Sequence, residues 1–183
     1  METKFINYLE KIWKNELSTS FRKGIICSKG HLISELYRQL NRTEFNIWVA
    51  PGLNIRDNDY TNAVPDIVVT FNQKIIGIID IKYELNKVID FKENINKLNG
   101  YSKLKELKIP LKIDIKTGDW NKKELYKFNS DFVTVFAVIA WAETDAVDSL
   151  KWKNKIKKLP DNFYHFIGSV SENKQLFFIE KVN

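Results

Sequence analysis

Apolar side chains fall along this chain in two rhythms, one of three to four residues and one of two, and each change of rhythm marks an element. Phe5, Ile6, Leu9, Ile12, Trp13 and Leu17 recur at helical spacing with charges between them. They predict an amphipathic helix over residues 3–17 whose apolar stripe packs on a core. Residues 21–30, with Gly24 and Gly30, read as a connector. Leu32, Ile33, Leu36 and Leu40 then predict a second helix over residues 30–41, with Ser28 as its cap. Residues 45–50 read as a strand, and residues 51–63 as an irregular polar loop carrying Arg56, Asp57, Asp59 and Tyr60.

The next stretch is the most apolar of the chain. Ile67, Val68, Val69, Thr70 and Phe71 precede a polar break at Asn72, Gln73 and Lys74; Ile75, Ile76, Gly77, Ile78 and Ile79 follow it. This pattern predicts two buried strands joined by a tight turn. Phe91, Ile95, Leu98, Tyr101 and Leu104 predict a helix over residues 90–108. Leu111, Ile113 and Ile115 alternate with Lys112, Asp114 and Lys116 before a Thr117-Gly118-Asp119 turn, so residues 111–128 read as an inserted strand or arm. A buried central strand over 131–140, a lysine-rich helix over 145–159 and a hairpin of 163–167 with 175–179, turning at 171–174, complete the chain. No internal repeat or boundary interrupts this order, which predicts one α/β domain over residues 1–183.

The apolar hairpin carries a carboxylate at each outer end. Asp66 follows Val64-Pro65, and Asp80 opens Asp80-Ile81-Lys82. Burying an acid and a lysine there is costly unless they are paired or bind a metal. Side chains alternate along a strand, so Asp80 and Lys82 share one face while Ile79, Ile81 and Tyr83 share the other. With a three-residue loop at Asn72, Gln73 and Lys74, Phe71 faces Ile75 and the ladder ends with Asp66 opposite Asp80. Their β-carbons would then lie about 4.5–5.5 Å apart, close enough to grip one cation. A two-residue loop sets Asp66 opposite Ile79 and splits the acids between faces, so a shared site requires the longer loop.

Pro65-Asp66, thirteen residues (67 to 79) and Asp80-Ile81-Lys82 together resemble the signature of the PD-(D/E)XK nuclease superfamily. The resemblance covers roughly residues 29–141. It implies a restriction-endonuclease-like αβββαβ core, a mixed central sheet flanked by helices, with an extra N-terminal helix and a C-terminal helix plus hairpin. It further implies a metal-dependent DNA endonuclease of restriction, junction-resolving, repair or defence type. Asp66, Asp80 and the backbone carbonyl of Ile81 would bind Mg2+, with Mn2+ able to substitute, and Lys82 would act on the attacking water. Glu35 lies at the edge of the second helix's apolar face, in line with His31 and Gln39. The resemblance makes Glu35 a third acid at the metal; the alternative is a flank glutamate in a local ion pair. Some members carry a glutamine followed four residues later by a tyrosine in the helix after the hairpin. This chain has Lys97 and Tyr101 there, either meeting a phosphate or serving as a solvated lysine and a core tyrosine.

Composition adjusts this picture in a few respects. The single Cys27 excludes an internal disulfide and fits a reducing cytoplasm, and with two histidines it leaves no set for structural zinc. Any metal is therefore expected to be a hard cation held through oxygen. No apolar run reaches the ~20 residues that span a bilayer, and the N-terminal stretch lacks a signal-peptide core, so a cytoplasmic protein with no membrane partner is expected. A net charge of +6 suits a nucleic-acid partner, DNA in the first instance and RNA as an alternative.

Residues 103–127 hold eight lysines against Glu106, Asp114, Asp119 and Glu124, and Lys151, Lys153, Lys155, Lys157 and Lys158 follow with no acid between them. Such charges suit the phosphate backbone, and Trp120 and Trp152 either stack on unpaired bases or close the core. His31 either touches a phosphate or belongs to the helix start. By resemblance the enzyme acts as a homodimer. A catalytically inactive nucleic-acid-binding or assembly module of the same fold is the second expectation, and a small-molecule phosphatase lacks any Gly-rich phosphate loop.

Overall fold

A computed structural model of the protein describes residues 1–50, 65–85, 92–101, 106–113, 120–141, 162–170 and 175–182. Its N-terminal helical run is longer than the periodicity alone predicts: α1 (Glu2–Lys11) passes through a π-helical stretch (Ile12–Leu17) into α2 (Ser18–Arg22). The wider π turn strains the usual backbone ladder, and the Ser18 hydroxyl donates to the carbonyls of Lys14 and Asn15 at 2.6 and 3.2 Å. Then α3 (Lys29–Leu40) begins at an extended Ser28 whose Oγ accepts the His31 backbone N–H at 3.2 Å.

The strands are β1 (Asn46–Val49), β2 (Ile67–Phe71), β3 (Lys74–Glu84), β4 (Glu106–Ile113), β5 (Trp120–Trp141), β6 (Phe163–Val170) and β7 (Gln175–Val182). They form one open mixed sheet in the order β1-β2-β3-β5-β6-β7, with β4 paired to the first part of β5. The pairs β3·β5 and β5·β6 are parallel and the others antiparallel. Between β3 and its parallel neighbour β5 lies α4 (Lys92–Tyr101).

Both faces of the sheet are covered, which is why its central strands read as nearly continuous apolar runs. On one face Ile67, Val69, Ile79, Ile81, Val135 and Ala137 pack with Phe5, Leu9, Trp13, Leu32 and Leu36 of the N-terminal helices. Trp13 is wholly buried there, and its indole N–H donates to the Ile167 carbonyl of β6 at 3.2 Å. On the other face Val68, Ile78, Phe136 and Val138 pack with Leu98 and Tyr101 of α4. The two acids and Lys82 belong to this second face.

The hairpin that sets their register differs from expectation in its turn. Phe71 pairs with Lys74, leaving a two-residue loop in which Asn72 and Gln73 both take positive φ, 48° and 59°. That loop alone would split the acids. A bulge restores them: Thr70 pairs with Ile75 but Val69 pairs with Gly77, so Ile76 is the extra residue and both Ile76 and Gly77 turn towards the N-terminal helices. Beyond the bulge Ile67 faces Ile79.

The helix expected over 90–108 stops short. Residues 106–108 belong to β4, where Glu106 pairs with Lys127 and Leu107 with Tyr126, and the expected arm is this β4–β5 ribbon. The closing hairpin is present as β6 and β7. The loop at 51–63, the turns at 117–119 and 171–174 and the helix at 145–159 lie outside the described residues. Among the described residues no helix is long and apolar enough to cross a membrane.

Candidate active site on the second face of the sheet

Asp66 sits immediately before β2, its backbone carbonyl accepting the Ala50 N–H at 2.8 Å, which ties this end of the hairpin to the end of β1. One step beyond the Ile67–Ile79 pair, the ladder sets Asp66 opposite Asp80. The contact is direct: Asp66 Oδ2 accepts the backbone N–H of Ile81 at 2.7 Å. Its other oxygen, Oδ1, pairs with Nζ of Lys29 at 2.8 Å, reaching over from the first turn of α3.

Asp80 is wholly buried on the other side of the pair. Oδ1 receives Lys97 Nζ at 2.5 Å and Oδ2 receives Asn94 Nδ2 at 2.5 Å, both from α4. Asn94, Lys97 and Tyr101 stand at i, i+3 and i+7, so one stripe of α4 covers the acid. Burial pushes the Asp80 carboxyl pKa up; the Lys97 ammonium and the Asn94 amide oppose the rise, and the charge of Asp66 adds to it. Tyr101 is buried beside them, and burial together with the charges of Asp80 and Asp66 drives its hydroxyl pKa up as well. Lys82, half-buried and two residues beyond Asp80, lies on the same face of β3. Thus two carboxylates meet two lysine ammonium groups, those of Lys29 and Lys97, in one corner of the molecule.

The structure does not bring Glu35 to this corner. Its carboxylate is held by Arg38 at 2.5 and 2.8 Å, by Gln39 at 3.1 Å and by Ser20 of α2 at 3.1 Å. The Arg38 hydrogen bonds hold its pKa down at about 2 against the opposing effect of burial, with Gln39 and Ser20 helping. The reason is helical phase: Lys29, which does reach Asp66, lies six residues earlier and therefore about 120° away around α3. Among the described residues no three His, Cys, Asp or Glu side chains gather closely enough to hold a metal. Of the three acids that the resemblance implies, Asp66 and Asp80 stand together, and Glu35 is engaged by Arg38, Gln39 and Ser20.

His31 also lies apart from the pair, with Nδ1 3.0 Å from Sγ of Cys27 and its backbone N–H in the Ser28 cap. Lys97 and Tyr101 come to the site, but Lys97 meets an acid. The backbone of Trp120 opens β5 opposite Ile113. Lys151, Lys153 and Lys155 lie outside the described residues. Two members of the site escaped the sequence reading. Asn94 could have been found as a polar residue in phase with Lys97 and Tyr101; nothing local marks Lys29.

Asp66 and Asp80 offer carboxylate oxygens, the donor type that a hard divalent cation takes, and the ammonium groups of Lys29 and Lys97 stand at one oxygen of each. Comparison with protein-family models, with curated proteins and with solved structures finds no match for the chain.

Proposed function

We propose that the protein is a metal-dependent nuclease that hydrolyses phosphodiester bonds in DNA, built on a restriction-endonuclease-like core. The observation that carries this reading is the placement of Asp66 and Asp80 abreast on adjacent strands with Lys82 on the same face. The element order from α3 through β1, β2, β3 and α4 to β5, with β5 parallel to β3, supports it further. Asp66, Asp80 and the Ile81 carbonyl would hold Mg2+, with Mn2+ substituting. The bound ion would polarise the scissile phosphate and lower the pKa of a coordinated water. Lys82 orients the attacking water or takes its proton, and its positive charge offsets the charge that develops on phosphorus oxygens. Tyr101 shields the acids from water on the α4 side. Cutting both strands of a duplex requires two such sites, which a homodimer supplies.

The test is incubation of purified protein with Mg2+ and supercoiled, linear, branched or single-stranded DNA, with RNA in parallel. Cleavage is expected, and Asp80→Ala and Lys82→Ala should each reduce it by about 10²–10⁴-fold while leaving the fold intact. Full rates in both variants would refute the assignment. A second reading, a binding module without catalysis, is favoured by one observation: every carboxylate oxygen of Asp66 and Asp80 already has a donor from the chain itself. Folded protein that binds DNA and never cuts it with either metal would establish that reading instead.

A further inference from the structure

Asp80 is 1% exposed at its side chain, and Lys97, which pairs with it, is 21% exposed. The ammonium therefore reaches the buried acid from a side chain that is itself partly open to solvent, on the α4 side of the pair. Lys29, 46% exposed, caps the other acid from α3. A divalent cation that bridges Asp66 and Asp80 needs the oxygens these two ammonium groups now occupy. It would also repel them, since like charges at contact distance in a partly buried site interact strongly. Lys29 can swing into water at little cost. Lys97 has one polar partner to leave, and its side chain is partly exposed, so it too can turn outward.

We propose that Lys97 is the resident cation of the site: it neutralises Asp80 until a divalent metal displaces it, and the released ammonium then engages a phosphate oxygen of the nucleic acid. This rests on the nuclease reading and deepens it by making metal binding and substrate binding depend on one side chain. Asn94, which stays on Oδ2, keeps the Asp80 carboxylate oriented during the exchange. In the metal-free protein the acids are neutralised internally, so the corner does not scavenge other cations.

Mn2+ affinity, read by electron paramagnetic resonance on the full chain without substrate, tests the exchange. Lys97→Met should bind Mn2+ about tenfold more tightly than the parent, the effect of removing one competing positive charge at a partly screened site. Lys97→Gln, which keeps a donor for Asp80, should tighten it likewise and guards against a variant that fails to fold. Both should bind an uncleaved duplex more weakly when Ca2+ is present. The Lys97 ammonium resonance in the parent should shift on addition of Mg2+, and should not shift in Asp80→Asn. Unchanged or weaker Mn2+ binding in both Lys97 variants would overturn the proposal. If the parent binds Mn2+ and Asp80→Asn abolishes it, that failure touches Lys97 alone; if Asp80→Asn binds as the parent does, the metal site itself is wrong.

Discussion

Glu35 shares α3 with Lys29, yet the two side chains leave the helix about 120° apart, and their chemistry diverges accordingly. Glu35 is buried among Arg38, Gln39 and Ser20, donors that favour the charged carboxylate. Its folded pKa of about 2 lies below the ordinary 4.5, so ionised Glu35 stabilises the fold. The sign follows directly: the contribution is complete above the unfolded pKa and disappears as pH falls from about 4.5 towards 2. Arg38 is half in solvent, and screening reduces the contribution to about 1–2 kcal/mol. Glu35→Gln should therefore lower stability at pH 6 by that amount and narrow the loss between pH 5 and pH 2.5, measured by urea unfolding at each pH. On the proposed function, cleavage by this variant should match the parent's. A collapse of activity without loss of stability would return Glu35 to the metal site.

At the scale of elements, the hairpin and α1 specify one another through Gly77. A β-carbon at that position would come within 2.4 Å of Cε1 of Phe5, so β3 and α1 approach as closely as they do only because the side chain is missing. Gly77→Ala should destabilise the protein by about 1–3 kcal/mol through overpacking. Phe5→Leu should relieve part of that, so the double variant should lose less than the two single losses together, measured by denaturant unfolding. Strict additivity would mean that the contact is not made. The same hairpin explains what could be read beforehand. Its two outer acids stood out because charges at the ends of an apolar run have a cost that needs an explanation. Its turn did not, because Ile75 and Ile76 are both apolar and a strand buried on both faces has no alternation to reveal a bulge. The end of α4 was hidden for a related reason: Leu104 continues the helical spacing, while Leu107 and Ile109 fit a strand whose partner lies in residues 120–127. For Glu35 the phase on the helix is legible in the sequence, and the arrival of Ser20 of α2 beside it is not.

At the scale of the whole molecule, charge and sheet geometry converge on the ribbon formed by β4 and the start of β5. Along its backbone lie Lys108, Lys112, Lys122, Lys123 and Lys127 against Glu106 and Glu124, in a chain of net charge +6. Lys112 and Lys122 occupy directly paired positions. Like charges abreast on neighbouring strands disfavour pairing, so folding alone gives no reason to keep them there. An anionic partner does, because each lysine that neutralises a phosphate releases a counterion and steepens the salt dependence of binding. On the proposed function, duplex affinity should fall by about 10³-fold between 50 and 200 mM salt, the behaviour of a protein making roughly six phosphate contacts. Fluorescence anisotropy with Asp80→Asn and a labelled duplex measures this without cleavage. Replacing Lys112 and Lys122 together by Ala should flatten the slope of log affinity against log salt by about two contacts' worth. The same change should leave stability within about 0.5 kcal/mol of the parent's. An unaltered slope would take the ribbon out of the proposed nucleic-acid interface and leave the corner of Asp66 and Asp80 to account for binding by itself.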